Sequence, residues 1–194
     1  MLAFHAVISA YGFWLPNDPR GSWSSFVASW ELLQAGGKAT HVHHTRSVAH
    51  RPHDRALRLA TKQRLDCKPV AFTGEQARAV ARGISATAES AGYPIYALAV
   101  MATHLHAVIG TTQRDPARII GHLKRGATDA LIAEGNHPFA TDEGIAQSCW
   151  SKRAWKVFLS NATAVARAIH YVEQNPIKDG LRPQRWPCVR PWHM

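Results

Sequence analysis

Two histidines separated by one residue, His104 and His106, stand in the stretch MATHLHAVIG at residues 101–110. The stretch alternates. Leu105, Ala107 and Ile109 fall to one side while His104, His106 and Val108 fall to the other, which is the two-residue period of a half-buried β-strand. A strand rises ~3.3 Å per residue, so the two imidazoles stand side by side roughly 6.6 Å apart at Cα. From that separation two ring nitrogens can hold one metal ion. The same spacing also describes two surface histidines on the polar face of an antiparallel strand, and the pattern alone does not choose between them. A second His-x-His, His41-Val-His43, sits among His44, His50 and His53. That segment lacks strand-length alternation and contains Arg46, Arg51 and Pro52, so nothing in it fixes two rings in one pose. A catalytic metal needs ligands held to within about half an ångström.

A tyrosine is the other residue whose position calls for chemistry. Asn161 can cap a last helix running to about residue 175, with a core-facing stripe of Ala162, Val165, Ala166, Ile169 and Val172. At ~100° per residue Tyr171 points roughly opposite that stripe, on the side of Ala164, Arg167, Ala168, Gln174 and Asn175. Packing does not explain a tyrosine there. Asn175 stands one helical turn further on, and Pro176 is expected to end the helix at it.

The elements that must position these groups follow from periodicity and capping. Residues 1–11 alternate Leu2, Phe4, Ala6 and Ile8 against His5, Val7 and Ser9, a first strand. Residues 12–26 are dense in Pro, Gly and aromatics, a shaped loop whose Phe13, Trp14 and Trp23 beside Arg20 either stack on unpaired bases or pin the loop to the core. Asp54 can cap a helix through Leu65 with Leu57 and Leu65 on one stripe. Thr73 and Gln76 form a capping-box pattern for a helix to about residue 90, with Ala77, Val80, Ala81, Ile84 and Ala88 inward. The run 95–100 is apolar enough for a central strand, and Ala102-Thr103 separates it from the histidine strand by a hairpin's spacing. Asp115-Pro116 opens a helix carrying Ile119, Ile120, Leu123, Ala127, Leu131 and Ile132. Residues 135–150 read as a loop and 155–159 as a short final strand.

With residues 12–72 set aside as an inserted basic arm, the order is β-α-β-β-α-β plus a final helix. That is an α+β, ferredoxin-like (RRM-like) antiparallel sheet with helices on one face, in a single domain spanning 1–194. The histidine strand is expected to be central, with the sheet's other face free to meet a ligand.

Charge points to a polyanionic partner. The 194 residues carry a formal net charge of +10 and a sequence pI near 10.1. The excess is placed. Residues 41–70 hold seven Lys/Arg against two acids, whereas residues 71–110 balance at two and two. Cys67, Cys149 and Cys188 are far apart and lack any C-x-x-C, so neither a disulfide framework nor a zinc ribbon is indicated. No apolar run reaches membrane-spanning length, and His5 and Tyr11 interrupt the apolar residues after Met1, so no signal peptide is expected and the compartment is read as reducing and internal.

His104-Leu-His106 on a strand, followed by Tyr171-Val-Glu-Gln-Asn-Pro-Ile-Lys-Asp-Gly-Leu181, resembles the REP-associated tyrosine transposases, single-tyrosine HUH enzymes of bacterial insertion sequences. The resemblance covers residues 74–182 and the opening strand, and its specific element is Tyr-x-x-x-Asn-Pro-[Val/Ile]-Lys-x-Gly-Leu. It implies a ferredoxin-like fold and cleavage and rejoining of single-stranded DNA through a tyrosine and a divalent metal, Mg²⁺ or Mn²⁺. By this likeness His104 and His106 match the metal-binding histidines, Tyr171 matches the nucleophile that forms a 5′-phosphotyrosine, and Asn175 stands where related enzymes place a third polar ligand. The chain departs from the family in having Ala102-Thr103 before the first histidine, where Pro-Asn or Pro-Glu is frequent, and in the length of the 12–72 insertion. The implied partner is single-stranded DNA with hairpin structure, in a bacterial cytoplasm and associated with the nucleoid, without a membrane; a homodimer stays open. Arg46, Arg51, Arg55, Arg58 and Lys62 on the arm, with Lys124, Arg125 and Arg167 on the core, are the candidates to track DNA phosphates.

Two rivals remain. One is a domesticated, non-cleaving binder of hairpin DNA, against which the complete His/His/Tyr set argues. The other is an RRM-like RNA binder, whose sheet should carry paired aromatics that the histidine strand lacks. Replacing His41 and His43 together by alanine is expected to preserve a covalent DNA adduct and to weaken binding only in a salt-dependent way, as lost phosphate contacts do. Replacing His104 and His106 by alanine should remove the adduct while binding survives. A denaturing gel with labelled oligonucleotide and Mn²⁺ reads both, and loss of the adduct only in the 41/43 pair overturns the placement of the site.

Overall fold

The alternating stretches at the start of the chain and around the two histidines become the inner strands of a four-stranded antiparallel sheet. β1 (Ala3–Ser9) lies beside β3 (His104–Gly110) with Val7 opposite His106 and His5 opposite Val108. β2 (Ile95–Val100) pairs with β3 on one side, and β6 (Trp155–Leu159) pairs with β1 on the other, giving the order β2-β3-β1-β6. Four helices are present among the described residues: α1 (Arg55–Gln63), α2 (Gly74–Ala91), α3 (Pro116–Ala133) and α4 (Ala162–Lys178). The computed structural model describes residues 1–13, 15, 34 and 54–193. Contacts divide the chain into two units, Met1–Ala10 with Ala71–Met194, and Tyr11–Val70.

The sheet-bearing unit is built as its caps and stripes require. Thr73 and Gln76 close a complete capping box, each side chain bonding the other's backbone N–H, at 3.2 and 2.9 Å. Asp115 Oδ1 accepts from the N–H groups of Ala117 and Arg118, and Pro116 occupies the first turn, where its missing N–H costs nothing. Val80, Ala81, Ile84 and Ala88 of α2 and Ile119, Ile120, Leu123, Ala127 and Leu131 of α3 are buried, while Ile132 is exposed, at the edge of its stripe. The two helices pack closely on each other and reach β2 and β1. Between residues 135 and 150, expected as plain loop, β4 (Ala140–Thr141) and β5 (Gly144–Ile145) pair as a small hairpin.

Two expectations are corrected. β2 is an outer strand of the sheet, not a central one. It is nevertheless apolar because the C-terminal segment covers its edge: the Gln184 amide both accepts from Val100 N–H and donates to Val100 C=O at 2.8 Å, and Arg190 N–H donates to Ile95 C=O at 2.8 Å. A covered edge has no unpaired ladder groups, so the strand can be as apolar as an inner one. The face expected to be free is also covered. Helix α4 packs across it, Val165 and Val172 meeting Ala3, Ala97, Ala99, Val108 and Leu159. Helices therefore lie on both faces of the sheet, and β1 and β3 are buried throughout except at His104.

In the Tyr11–Val70 unit, Asp54 Oδ1 caps α1 by accepting from Leu57 N–H at 2.8 Å. Leu57 and Leu59 are exposed, and Thr61 is the buried residue. The Thr61 hydroxyl donates to Leu57 C=O at 2.7 Å, so it enters the interior with its donor satisfied, which a period count on leucines misses. The expectations on Trp14, Arg20, Trp23, Arg46, Arg51 and the histidines from His41 to His53 lie outside the described residues.

The α2–α3 contact depends on two glycines. A Cβ on Gly126 would overlap Thr87 Oγ1, and one on Gly83 would overlap the Gly126 carbonyl. Gly121 on the same helix has nothing near it. Gly126→Val is expected to lower unfolding free energy by about 1–3 kcal/mol through overpacking. Gly121→Ala should raise it by about 0.5–1 kcal/mol through helix propensity. Urea denaturation of both variants checks the pair, and equal effects would remove the close crossing as the cause.

Candidate functional site

Helix α4 delivers the tyrosine. Asn161 Oδ1 caps it by accepting from Ala164 N–H at 2.9 Å. Its sheet-facing side is Val165, Val172 and Pro176, flanked by the partly buried Ala164, Ala168 and Ile169, whereas Ala166 is exposed. The buried face is thus rotated toward Tyr171 relative to the stripe expected from sequence. Ala164 and Ala168, small enough to sit on either side, are what shifted it. Tyr171 stands on the flank of that face, 45% exposed, instead of opposite it. The helix also runs through Pro176 to Lys178, not stopping at Asn175. Proline cannot donate to the carbonyl four residues back, but its ring is buried here, and Pro176 C=O accepts from Leu181 N–H at 2.8 Å.

Under the helix three imidazoles gather. His106 is 5% exposed, and its ring lies 4.8 Å from that of His104 and 5.5 Å from that of Tyr171, both nearly perpendicular. His104 is half-buried, with Nδ1 3.2 Å from Thr103 Oγ1. The third ring belongs to His5 on β1, 8% exposed, whose Nε2 lies 3.0 Å from His106 Nδ1. His5 is also 5.8 Å from the Tyr171 ring. Burial lowers the His5 pKa to about 4. Burial, then the charges of His104 and His5, lower that of His106 to about 2. Both rings are neutral near pH 7 and keep a lone pair each.

Sequence reasoning missed His5 and Lys178. His5 was legible as a member of an alternating strand, but only the β1–β3 register puts it on the face of His106. Lys178 lies in the Asn-Pro-Ile-Lys element, and its Nζ sits 5.2 Å from the centroid of the Tyr171 ring. Asn175 is half-buried one turn from Tyr171, and its Nδ2 is buried with no hydrogen-bond partner. Among the described residues no three of His, Cys, Asp and Glu are arranged to hold a metal ion.

The described candidates for phosphate contact lie on three helices. Arg125 and Arg167 are exposed on α3 and α4, and Arg55 is exposed on α1, where Arg58 and Lys62 are half-buried. Lys124 is half-buried and donates to Ser151 C=O at 2.7 Å, and burial lowers its pKa. Its charge is tied to the segment before β6. No described helix is long and apolar enough to cross a membrane.

No protein-family model and no curated protein matches the chain. Among solved structures the chain is similar to a REP-associated tyrosine transposase bound to a REP hairpin, at 12% identity, covering 93% of this chain and 70% of that one with a TM-score of 0.48. It is also similar to a candidate transposase from Deinococcus radiodurans R1, at 14% identity, covering 89% of each chain with a TM-score of 0.44.

The buried imidazoles make stability depend on pH. The unfolded chain binds protons at these histidines near the ordinary value of 6.5, and the folded chain binds them only near pH 4 for His5 and lower for His106. Stability is therefore full above pH 6.5 and falls as the pH drops below it, each ring contributing a slope of up to about 1.4 kcal/mol per pH unit. Urea denaturation between pH 7 and 5 should show this slope, and His106→Asn should reduce it. A profile that is flat in the wild type would mean that the native rings carry protons.

Proposed function

We propose that the chain is a metal-dependent single-stranded DNA endonuclease and strand transferase, a single-tyrosine HUH transposase, acting through a covalent 5′-phosphotyrosine. One observation carries the reading: Tyr171 and His106, on different elements of the sheet-bearing unit, meet with ring centroids 5.5 Å apart while the tyrosine stays open to solvent. The β-α-β-β-α-β succession and the sheet order β2-β3-β1-β6 support the ferredoxin-like assignment. The Tyr-x-x-x-Asn-Pro-Ile-Lys-x-Gly-Leu element supports the tyrosine's role.

The donor set fits a divalent ion. His104 and His106 are neighbouring imidazoles, and Asn175 carries a buried amide with an unsatisfied atom. A half-turn of that amide presents Oδ1 in place of Nδ2, an acceptor that a cation satisfies. Neutral N and O ligands leave an ion's charge uncancelled, so His104, His106 and Asn175 would hold Mg²⁺ or Mn²⁺, which supplies polarisation of a non-bridging phosphate oxygen. The residues of the chain do the rest. Tyr171 Oη attacks phosphorus in line, the bond from phosphorus to the 3′ oxygen breaks, and the phenolic proton is lost to solvent as the leaving oxygen takes one up to become a 3′-hydroxyl. The new phosphate ester on Tyr171 stores the bond for rejoining, so no nucleotide cofactor is consumed. Lys178, over the ring of the nucleophile, places a positive charge where the phosphate arrives. Arg125 and Arg167, with the basic arm that includes Arg46, Arg51, Arg55, Arg58 and Lys62, would follow the strand's phosphates; Lys124 would do so only by leaving Ser151. The natural substrate class is hairpin-bearing single-stranded DNA in a bacterial nucleoid.

Tyr171→Phe removes one oxygen from a side chain that is not buried in the core, so fold and DNA binding should persist while the adduct on a denaturing gel disappears. An adduct formed by the Phe variant would overturn the assignment. Wild-type protein that binds hairpin DNA but yields no adduct with Mn²⁺ would instead establish the non-cleaving binder.

A further inference from the structure

We propose that His5 is a positioning residue that sets the tautomer of His106, accepting its Nδ1–H and so leaving the Nε2 lone pair of His106 available to a cation. The proposal rests on the reading of His106 as a metal ligand and concerns how that ligand is prepared. The contact is specific. His5 Nε2 and His106 Nδ1 lie 3.0 Å apart with both residues buried, so one proton must sit between these two nitrogens. Two arrangements satisfy it. In the first, His5 Nε2 carries the proton and donates to His106 Nδ1; neutral His106 then bears its own proton on Nε2 and presents no lone pair there. In the second, His106 Nδ1 donates to His5 Nε2, and His106 Nε2 is a bare donor. Only the second makes a ligand, because Nδ1 of His106 is already engaged by His5.

The need for such a partner comes from elementary histidine chemistry. A neutral imidazole free in water favours the proton on Nε2, the form that blocks the nitrogen at issue. Metal-binding histidines are accordingly held by an acceptor for their other N–H, and loss of that acceptor costs about 10- to 100-fold in affinity. A carboxylate or a backbone carbonyl is the usual acceptor. Here the role falls to a second imidazole, supplied from the adjacent strand by register: His5 pairs with Val108, and His106 is the diagonal neighbour on the same face. Packing alone does not call for histidine at position 5. Its face is otherwise lined by Ala3, Val108, Val157 and Leu159, and an aliphatic side chain would fill that space without a polar group to satisfy.

The test uses the full chain without metal and then with Mn²⁺ alone. Long-range ¹⁵N–¹H correlation spectra of histidine-labelled protein at pH 7.5 report the tautomer of each ring directly. In the wild type His106 should show the Nδ1–H form. His5→Gln retains a carbonyl oxygen able to accept that proton and should preserve both the tautomer and Mn²⁺ affinity to within about three-fold. His5→Leu cannot accept; His106 should move to the Nε2–H form, with the Mn²⁺ Kd from calorimetry rising roughly ten-fold or more. A wild-type His106 in the Nε2–H form overturns the proposal and requires no variant to fold. So does a His5→Leu protein with unchanged tautomer and Kd, or a His5→Gln protein that fails as His5→Leu does. If wild-type protein shows the Nδ1–H form but binds no Mn²⁺, the metal-centre reading falls, and the purpose assigned to His5 falls with it. A proposal failing at the tautomer while Mn²⁺ still binds leaves the metal centre standing.

Discussion

Everything at the candidate site depends on burying neutral imidazoles between a sheet and a helix. Taking a ring nitrogen out of water costs free energy unless a partner meets it, and the His5–His106 hydrogen bond meets one nitrogen from each ring. That bond spans β1 and β3, so it holds only if the two strands keep their register. A slip of one residue would turn His5 to the opposite face and leave His106 Nδ1 without this partner. The apolar pairs on the other face, Phe4 with Ile109 and Ile8 with Leu105, resist such a slip because they too would be turned the wrong way. Core packing on one face thus maintains the imidazole pair on the other.

Helix α4 imposes the second constraint. It must be close enough to bury His106 yet leave the Tyr171 ring accessible. Small residues accomplish this: Ala164 and Ala168 let the helix settle toward the sheet on the tyrosine's side, while Val165, Val172 and Pro176 fill the interior. Pro176 is tolerated inside the helix because its burial offsets a lost backbone hydrogen bond. Keeping the helix intact through that point holds Asn175 and Lys178 on the same rigid element as Tyr171.

The outer framework restricts what can move. Gly83 and Gly126 let α2 and α3 approach at backbone distance, and Arg82 of α2 bridges to Glu134 just beyond α3 through two hydrogen bonds. At the outer edge of β2, Gln184 pairs with Val100 as an added strand would, and Trp192 packs on Tyr96. These contacts cover an edge strand that would otherwise offer its ladder to another chain.

Local information determined the elements. The capping residues Thr73, Asp115 and Asn161 each begin the helix expected of them, and the alternation at 104–110 and the β-branched and aromatic run at 155–159 form strands, because caps and periods act over a few residues. Pairing the histidine strand with a tyrosine far along the chain was legible from residue type and motif. Tertiary structure decided the rest. Whether β2 is inner or outer depends on a distant tail, since hydropathy reports burial and not which element provides it. Which side of α4 faces the sheet was settled by alanines that suit either environment, so the helical period could not resolve it. That His5 reaches His106 is a matter of strand register, which no periodicity within one strand contains: the two residues are joined only when the sheet forms.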